Sequence, residues 1–109
     1  MRIVKCRRRE VDDFGPHFVY CGREWGGYAE SPLANNASRS RTPGVAAAAF
    51  RVWLWQQLQS SNASVLEAIN ALTEESVLGC WCVDNDDAAT ETHCHCGVTS
   101  RAWAWLRAK

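Results

Sequence analysis

One stretch, residues 76–97, constrains the fold of this chain more than any other. It opens with an apolar run that ends at Val83, and a run this short favours a central β-strand over a helix. Because side chains alternate along a strand, Cys80 and Cys82 should lie on one face and Trp81 on the other. The stretch continues through a polar loop into His-Cys-His-Cys-Gly, so the strand leads into a cluster of sulfur and imidazole groups.

The hydrophobic pattern of the whole chain predicts an α/β fold with the element order β-β-α-α-β-α. We expect a single small domain, residues 1–109, in which a three-stranded, largely parallel sheet is flanked by about three helices. The other two strands should cover residues 2–6 and 17–21, and the helices residues 45–58, 64–72 and 98–107. A long Gly/Pro/Asn-rich loop, 22–44, and an acidic loop, 84–93, connect these elements.

Two helix starts carry their own sequence signals. Thr42 and Pro43 suit an N-cap followed by the first helical position. Ser64 and Glu67 have the spacing of a capping box. These signals predict where the first two helices begin.

The predicted topology brings distant loops to one edge of the sheet. A helical crossover between the second and third strands makes them parallel and the connection right-handed. The carboxyl ends of parallel strands share an edge, where ligands bind in open α/β sheets. The loop that starts at Gly22 and Arg23 should therefore face the loop that starts at Cys82. Cys94 and His95 should lie just before, or at, the N-terminus of the last helix.

The charge of the chain argues against some classes of partner. Twelve Lys and Arg balance twelve Asp and Glu, so the net charge supports neither nucleic-acid nor membrane binding. No apolar segment is long enough to cross a bilayer, and the first six residues turn charged too early for a signal peptide. We therefore expect a cytoplasmic protein whose six cysteines are mostly thiols, with a disulfide scaffold as the alternative if the chain is exported.

The sulfur-rich cluster could hold zinc. Cys80, Cys82, Cys94, His95 and Cys96 offer enough soft ligands for a tetrahedral site, and the first four form our candidate set. Their spacing differs from paired Cys-x-x-Cys knuckles, so the pattern is suggestive. In the alternative, Cys80 is a small buried hydrophobe within its strand.

The same edge could instead hold an anion or a reactive thiol. A helix N-terminus lowers the pKa of a thiol there, so Cys94 is a candidate nucleophile and His95 a candidate acid or base. Free amides at that position favour phosphate or carboxylate, and Arg23 could add a bidentate fork. The alternatives are a surface ion pair for Arg23 and a capping role for Cys94. The candidate ligand-binding residues are Gly22, Arg23, Ser31 and Asn35.

Four short motifs resemble those of domain-of-unknown-function family 4326, which occurs in bacteria and their phages. They are Tyr20-Cys21-Gly22-Arg23, Ser31-Pro32-Leu33-Ala34-Asn35, Gly79-Cys80-Trp81-Cys82 and Cys94-His95. The resemblance covers nearly the whole chain and implies the fold and the position of the site, but no activity. The chain departs from the family at Asn36, where Pro is usual, and at residues 85–92, where its loop is longer.

Two functions follow as hypotheses. The first is binding, and in an enzymatic version processing, of a nucleotide-like or other anionic small ligand between the loops 22–35 and 82–96. The alternative is a zinc-stabilised, non-catalytic phage or mobile-element accessory protein that binds a host or phage protein. The chain carries no motif that names a reaction class.

Tryptophans motivate the protein-binding alternative. Trp53 and Trp105 fit the apolar stripes of their predicted helices, whereas Trp55 and Trp103 fall off them. Large apolar side chains off the core stripe can mark a partner surface. We therefore expect Trp55 and Trp103 to be exposed.

Overall fold

The computed structural model describes residues 1–5, 15–24, 29–38, 40, 42–80 and 94–108. Over these residues the chain forms three strands and three helices in the predicted order β-β-α-α-β-α. The elements are β1 (Arg2–Lys5), β2 (Phe18–Tyr20), α1 (Pro43–Gln59), α2 (Ala63–Asn70), β3 (Val77–Cys80) and α3 (His95–Arg107). The predicted α/β class is confirmed.

β3 is the central strand of a three-stranded parallel sheet with the order β1-β3-β2. Val4 and Tyr20 both pair with Gly79, one from each side. Parallel neighbours need a crossover connection, and α1 and α2 supply it between β2 and β3. Leu78 is fully buried at the middle of the sheet. The predicted central position of this strand and its parallel pairing with β2 are both confirmed.

α1 is the main helix against the core. It begins as predicted, with Thr42 as the N-cap in an extended conformation and Pro at the first position. Four consecutive alanines favour the helix, and Phe50 and Leu54 are buried. These side chains join Ile69 of α2 and Val98 of α3 in one apolar cluster.

The predicted start of α2 was wrong. The helix begins at Ala63, and its cap is Asn62, whose side-chain oxygen accepts the amide of Val65 at 3.4 Å. Ser61 has a left-handed φ of 57°, so the chain reverses before the helix and presents Asn62 to the first turn. Ser64 already lies within the helix and therefore does not cap it.

α3 begins three residues earlier than predicted, and two of its tryptophans have the reverse of their predicted roles. Trp103 packs against the core, and its Nε1 donates to the carbonyl of Leu72 at 3.0 Å. Trp105 is 42% exposed. The inward stripe runs through buried Thr99, and Trp103 lies one turn beyond it at the i+4 position. The assignment of Trp103 to the exposed face was therefore wrong, while Trp55 is exposed as expected.

Within the described residues, none of the helices combines the length and the apolar character needed to span a bilayer.

Candidate functional site

Four buried cysteines of the described part of the chain lie at the carboxyl edge of the sheet. They are free thiols, each at most 1% exposed: Cys21, Cys80, Cys94 and Cys96. Residues 81–93 lie outside the described residues. They include Cys82, a member of the predicted ligand set, and the acidic loop 84–93.

Three elements bring these thiols together. Cys80 is the last residue of β3, and Cys21 directly follows β2, where its amide donates to the Gly79 carbonyl at 2.9 Å. Cys94 is the N-cap of α3, and Cys96 is in the first turn of that helix. Because β2 and β3 are parallel and end together, the helix N-terminus can cover both strand ends at once.

The sulfur atoms of Cys80, Cys94 and Cys96 all lie within 4.8 Å of one another. The Cys80 and Cys94 sulfurs are 3.2 Å apart. The Cys94 sulfur also accepts the backbone amide of Cys96 at 3.4 Å, so it acts as the side-chain cap of α3. Three ligand atoms at these separations could hold a metal ion.

Burial raises the pKa of the Cys96 thiol well above its ordinary value, and the neighbouring thiols of Cys21, Cys80 and Cys94 raise it further. Without a cation the thiol is therefore protonated at neutral pH, and its buried position makes it a poor nucleophile. A bound divalent cation inverts this preference, because metal ligands bind as thiolates.

His95, the first residue of α3, contacts the end of β2. Its Nε2 lies 2.5 Å from the carbonyl oxygen of Cys21 and 4.0 Å from the Cys96 sulfur. The imidazole ring packs edge-on against Phe50 at a centroid distance of 5.2 Å, and the residue is 8% exposed. Since a carbonyl accepts, Nε2 is the protonated nitrogen in this contact. The His95 side chain thus bonds to the backbone beside Arg23, while Cys96 completes the thiol triad.

Arg23 organises the loop beyond β2. Its Nε and Nη2 donate to the carbonyl of Asn35 at 3.0 and 2.5 Å, and Nη2 also donates to the carbonyl of Ser38 at 2.9 Å. The Asn35 side chain donates to the Ala46 carbonyl at 3.0 Å and accepts the Ala37 amide at 3.1 Å. Arg23 and Asn35 therefore fasten the loop to itself and to α1, and their predicted ligand-binding role stays a prediction.

Ser31 and Gly22 have local structural roles in the same loop. Ser31 donates its amide to the Gly22 carbonyl at 3.0 Å, and its hydroxyl accepts the Leu33 amide at 3.0 Å. A Cβ at Gly22 would overlap the Tyr20 ring, whose hydroxyl donates to the Arg23 carbonyl. Glycine is therefore needed where the tyrosine folds back over the chain. Trp25 and Tyr28, two further aromatics of this loop, lie outside the described residues.

A groove of about 990 Å³ lies between α1 and α3. Trp55 and Trp105 line it and pack edge to face at 5.4 Å, and they are 47% and 42% exposed. Among the described residues that line it, the charged ones are Arg51 and Arg101. An exposed apolar surface of this kind is typical of a binding site for another molecule.

Sequence reasoning missed Cys21 as a member of the cluster. The signal was present, because Cys21 ends one predicted parallel strand and Cys80 lies near the end of the other. Parallel strands end at a common edge, so the thiol of Cys21 was as predictable there as the side chain of Arg23 two residues later.

Comparison with known proteins gives a family match. A family model described as "Domain of unknown function (DUF4326)" matches residues 4–105. That span contains all four buried cysteines. No curated protein and no solved structure gives a significant match.

Proposed function

This chain belongs to the DUF4326 family, and we propose that it is a zinc-stabilised, non-catalytic domain that acts by binding another protein. One observation carries the metal part of this proposal: three buried thiol sulfurs within 4.8 Å of one another. Thiolates are the ligands that zinc prefers in structural sites.

The surroundings of the thiols fit a structural metal. Cys80, Cys94 and Cys96 are at most 1% exposed, and burial raises the pKa of the Cys96 thiol. Buried protonated thiols are chemically inert, which disfavours a catalytic cysteine here. When bound, zinc would supply a cross-link between β3 and the N-terminus of α3. The residues themselves set the geometry, since Cys80 ends a central strand and Cys94 is fixed by its capping bond to the Cys96 amide.

Metal content and metal-dependent stability test this part. Protein purified without a metal-binding tag should contain about one zinc per chain, and a strong chelator should lower its melting temperature by at least about 10 °C. Cys80→Ser should bind zinc more weakly and lower the zinc content, while Cys6→Ser, outside the triad, serves as the matched control. Metal-free protein with an unchanged melting temperature in chelator would refute the proposal.

The groove between α1 and α3 supports the protein-binding part. Its exposed Trp55 and Trp105 and its two arginines suit a helical segment with an apolar stripe and acidic flanks. An acidic amphipathic peptide should bind more tightly than a basic peptide with the same apolar stripe, and Arg51→Glu should reverse that order. Equal affinity for both peptides, or no binding of either, would contradict this assignment.

A small anionic or nucleotide-like ligand is the second candidate, and the contact between His95 and Cys21 favours it. This contact brings the N-terminus of α3 to the end of β2, two residues before Arg23, which supports the crevice hypothesis. The hydrogen bonds described for Arg23 use Nε and Nη2, which leaves Nη1 as a donor for an anion among these contacts. We expect inorganic phosphate or a nucleoside monophosphate to bind in calorimetry and Arg23→Lys to weaken that binding. No heat of binding at millimolar ligand would exclude this candidate.

A further inference from the structure

We propose that Cys21 supplies the fourth ligand of the metal site, so that the ion is held by four thiolates from three elements. The ligands are Cys21, Cys80, Cys94 and Cys96. This inference rests on the proposed zinc site and adds to it a coordination number, a ligand and the closure of the site.

The shared edge of two strands carries the assignment. The sulfur atoms of Cys80, Cys94 and Cys96 lie within 4.8 Å of one another, and the fully buried Cys21 follows the neighbouring parallel strand at the same edge. The thiol of Cys21 raises the pKa of Cys96 together with those of Cys80 and Cys94, which agrees with a fourth thiol beside the triad. Cys21 also directs its thiol to the Val19 carbonyl at 3.6 Å, a weak bond that a metal–sulfur bond would replace.

Strand register places Cys21 beside Cys80. Tyr20, the last residue of β2, pairs with Gly79, and Cys21 and Cys80 are the residues that follow this pair in the same register. Neighbouring strands lie about 4.8 Å apart, and residues opposite each other point to the same face. Sulfur atoms around a tetrahedral zinc lie about 3.8 Å apart, given zinc–sulfur bonds of about 2.3 Å. Two cysteines at this register therefore need only side-chain rotation to share one ion.

The backbone of Cys21 is also well fixed. Its amide donates to the Gly79 carbonyl at 2.9 Å, and its carbonyl lies 2.5 Å from Nε2 of His95. His95 thus positions a ligand-bearing residue without being a ligand. Four protein sulfurs close the coordination shell, which is the arrangement of structural zinc and leaves no position for a substrate.

Cobalt spectroscopy tests the ligand set. Reduced protein is titrated with Co²⁺ alone, and the intensity of the sulfur-to-cobalt charge-transfer band reports the number of bound thiolates. Cys21→Ser should lower the intensity of this band by about one quarter, because one of four bound thiolates is lost. Cys82→Ser should leave the intensity unchanged. The reverse result would assign the fourth position to Cys82 and overturn this inference while keeping the triad. No band in the unaltered protein would instead overturn the metal site as a whole.

A second variant decides the question even if Cys21→Ser does not fold. The double variant Cys6→Ser/Cys82→Ser retains only the four proposed ligands among the six cysteines. Loaded with zinc, it should show four sulfur neighbours at about 2.3 Å and no nitrogen or oxygen neighbour in X-ray absorption. Three sulfurs with one lighter neighbour would refute the assignment of Cys21.

Discussion

Replacing His95 with phenylalanine separates a positioning role from a metal-ligand role. The new ring keeps the edge-on contact with Phe50, but it removes the bond from Nε2 to the Cys21 carbonyl. A buried carbonyl left without a partner costs about 1–3 kcal/mol of unfolding free energy. His95→Ala also removes the aromatic contact, which is worth a further ~0.5–1.5 kcal/mol, so its loss should be the larger.

Urea denaturation of the reduced protein measures these losses, with chelator and with zinc. Thermal denaturation gives a second readout, since in a chain of about this size each kcal/mol of lost unfolding free energy lowers the melting temperature by about 4–8 °C. The cobalt charge-transfer band should remain in His95→Phe, because we assign Nε2 to the carbonyl. The matched control is His17→Phe. His17 pairs with Glu75 at 3.2 Å on the surface, and such exposed pairs contribute about 0–1 kcal/mol.

Two results would refute this account of His95. An unfolding free energy equal to that of the control would show that the bond to Cys21 stabilises nothing. An unchanged stability in chelator combined with loss of cobalt binding would instead show that His95 is a ligand, as the first interpretation of the sequence had it.

Three further outcomes follow from single features. Gly22→Ala should destabilise the fold by about 1–3 kcal/mol in urea denaturation, because its methyl group overlaps the Tyr20 ring; an unchanged midpoint would show that the tyrosine moves freely. Burial raises the pKa of the Cys96 thiol in the folded chain, so in chelator this thiol loses its proton at a lower pH in the unfolded chain. The unfolding free energy should therefore fall above a pH of about 8.5, by at most about 1.4 kcal/mol per pH unit. Equal urea midpoints at about pH 7 and pH 10 would contradict that sign. Trp103→Phe should lower the unfolding free energy by about 0.5–1.5 kcal/mol because it loses a hydrogen bond, whereas Trp55→Phe should change thermal stability little. The opposite order would show that Trp103 lies on the exposed face.

Sheet topology was predictable from the sequence because two local signals agreed. The apolar run ending at Val83 was too short for a helix, and the helical pattern between Tyr20 and Val77 required a crossover. A crossover makes strands parallel, which in turn brings their carboxyl ends to one edge. The meeting of His95 with the end of β2 followed from these two steps.

The finer features depended on contacts that local patterns do not encode. Ser64 and Asn62 both suit a cap, and the left-handed turn at Ser61 decides between them. α3 starts earlier because Cys94 caps it through its sulfur, which no cap preference of the common residues would indicate. Its inward face depends on tertiary contacts such as the bond from Trp103 to the Leu72 carbonyl. Which cysteines share a cluster depended on the strand register that sets Cys21 beside Cys80.

The strand order has a consequence for co-translational folding. β1 and β2 do not pair with each other; each pairs only with β3, which begins at Val77. More than two thirds of the 109 residues must therefore be translated before any described strand of this sheet finds its neighbour. Until then two apolar strands have unsatisfied edges, and nascent chains stalled before Val77 should be targets for chaperones and proteases.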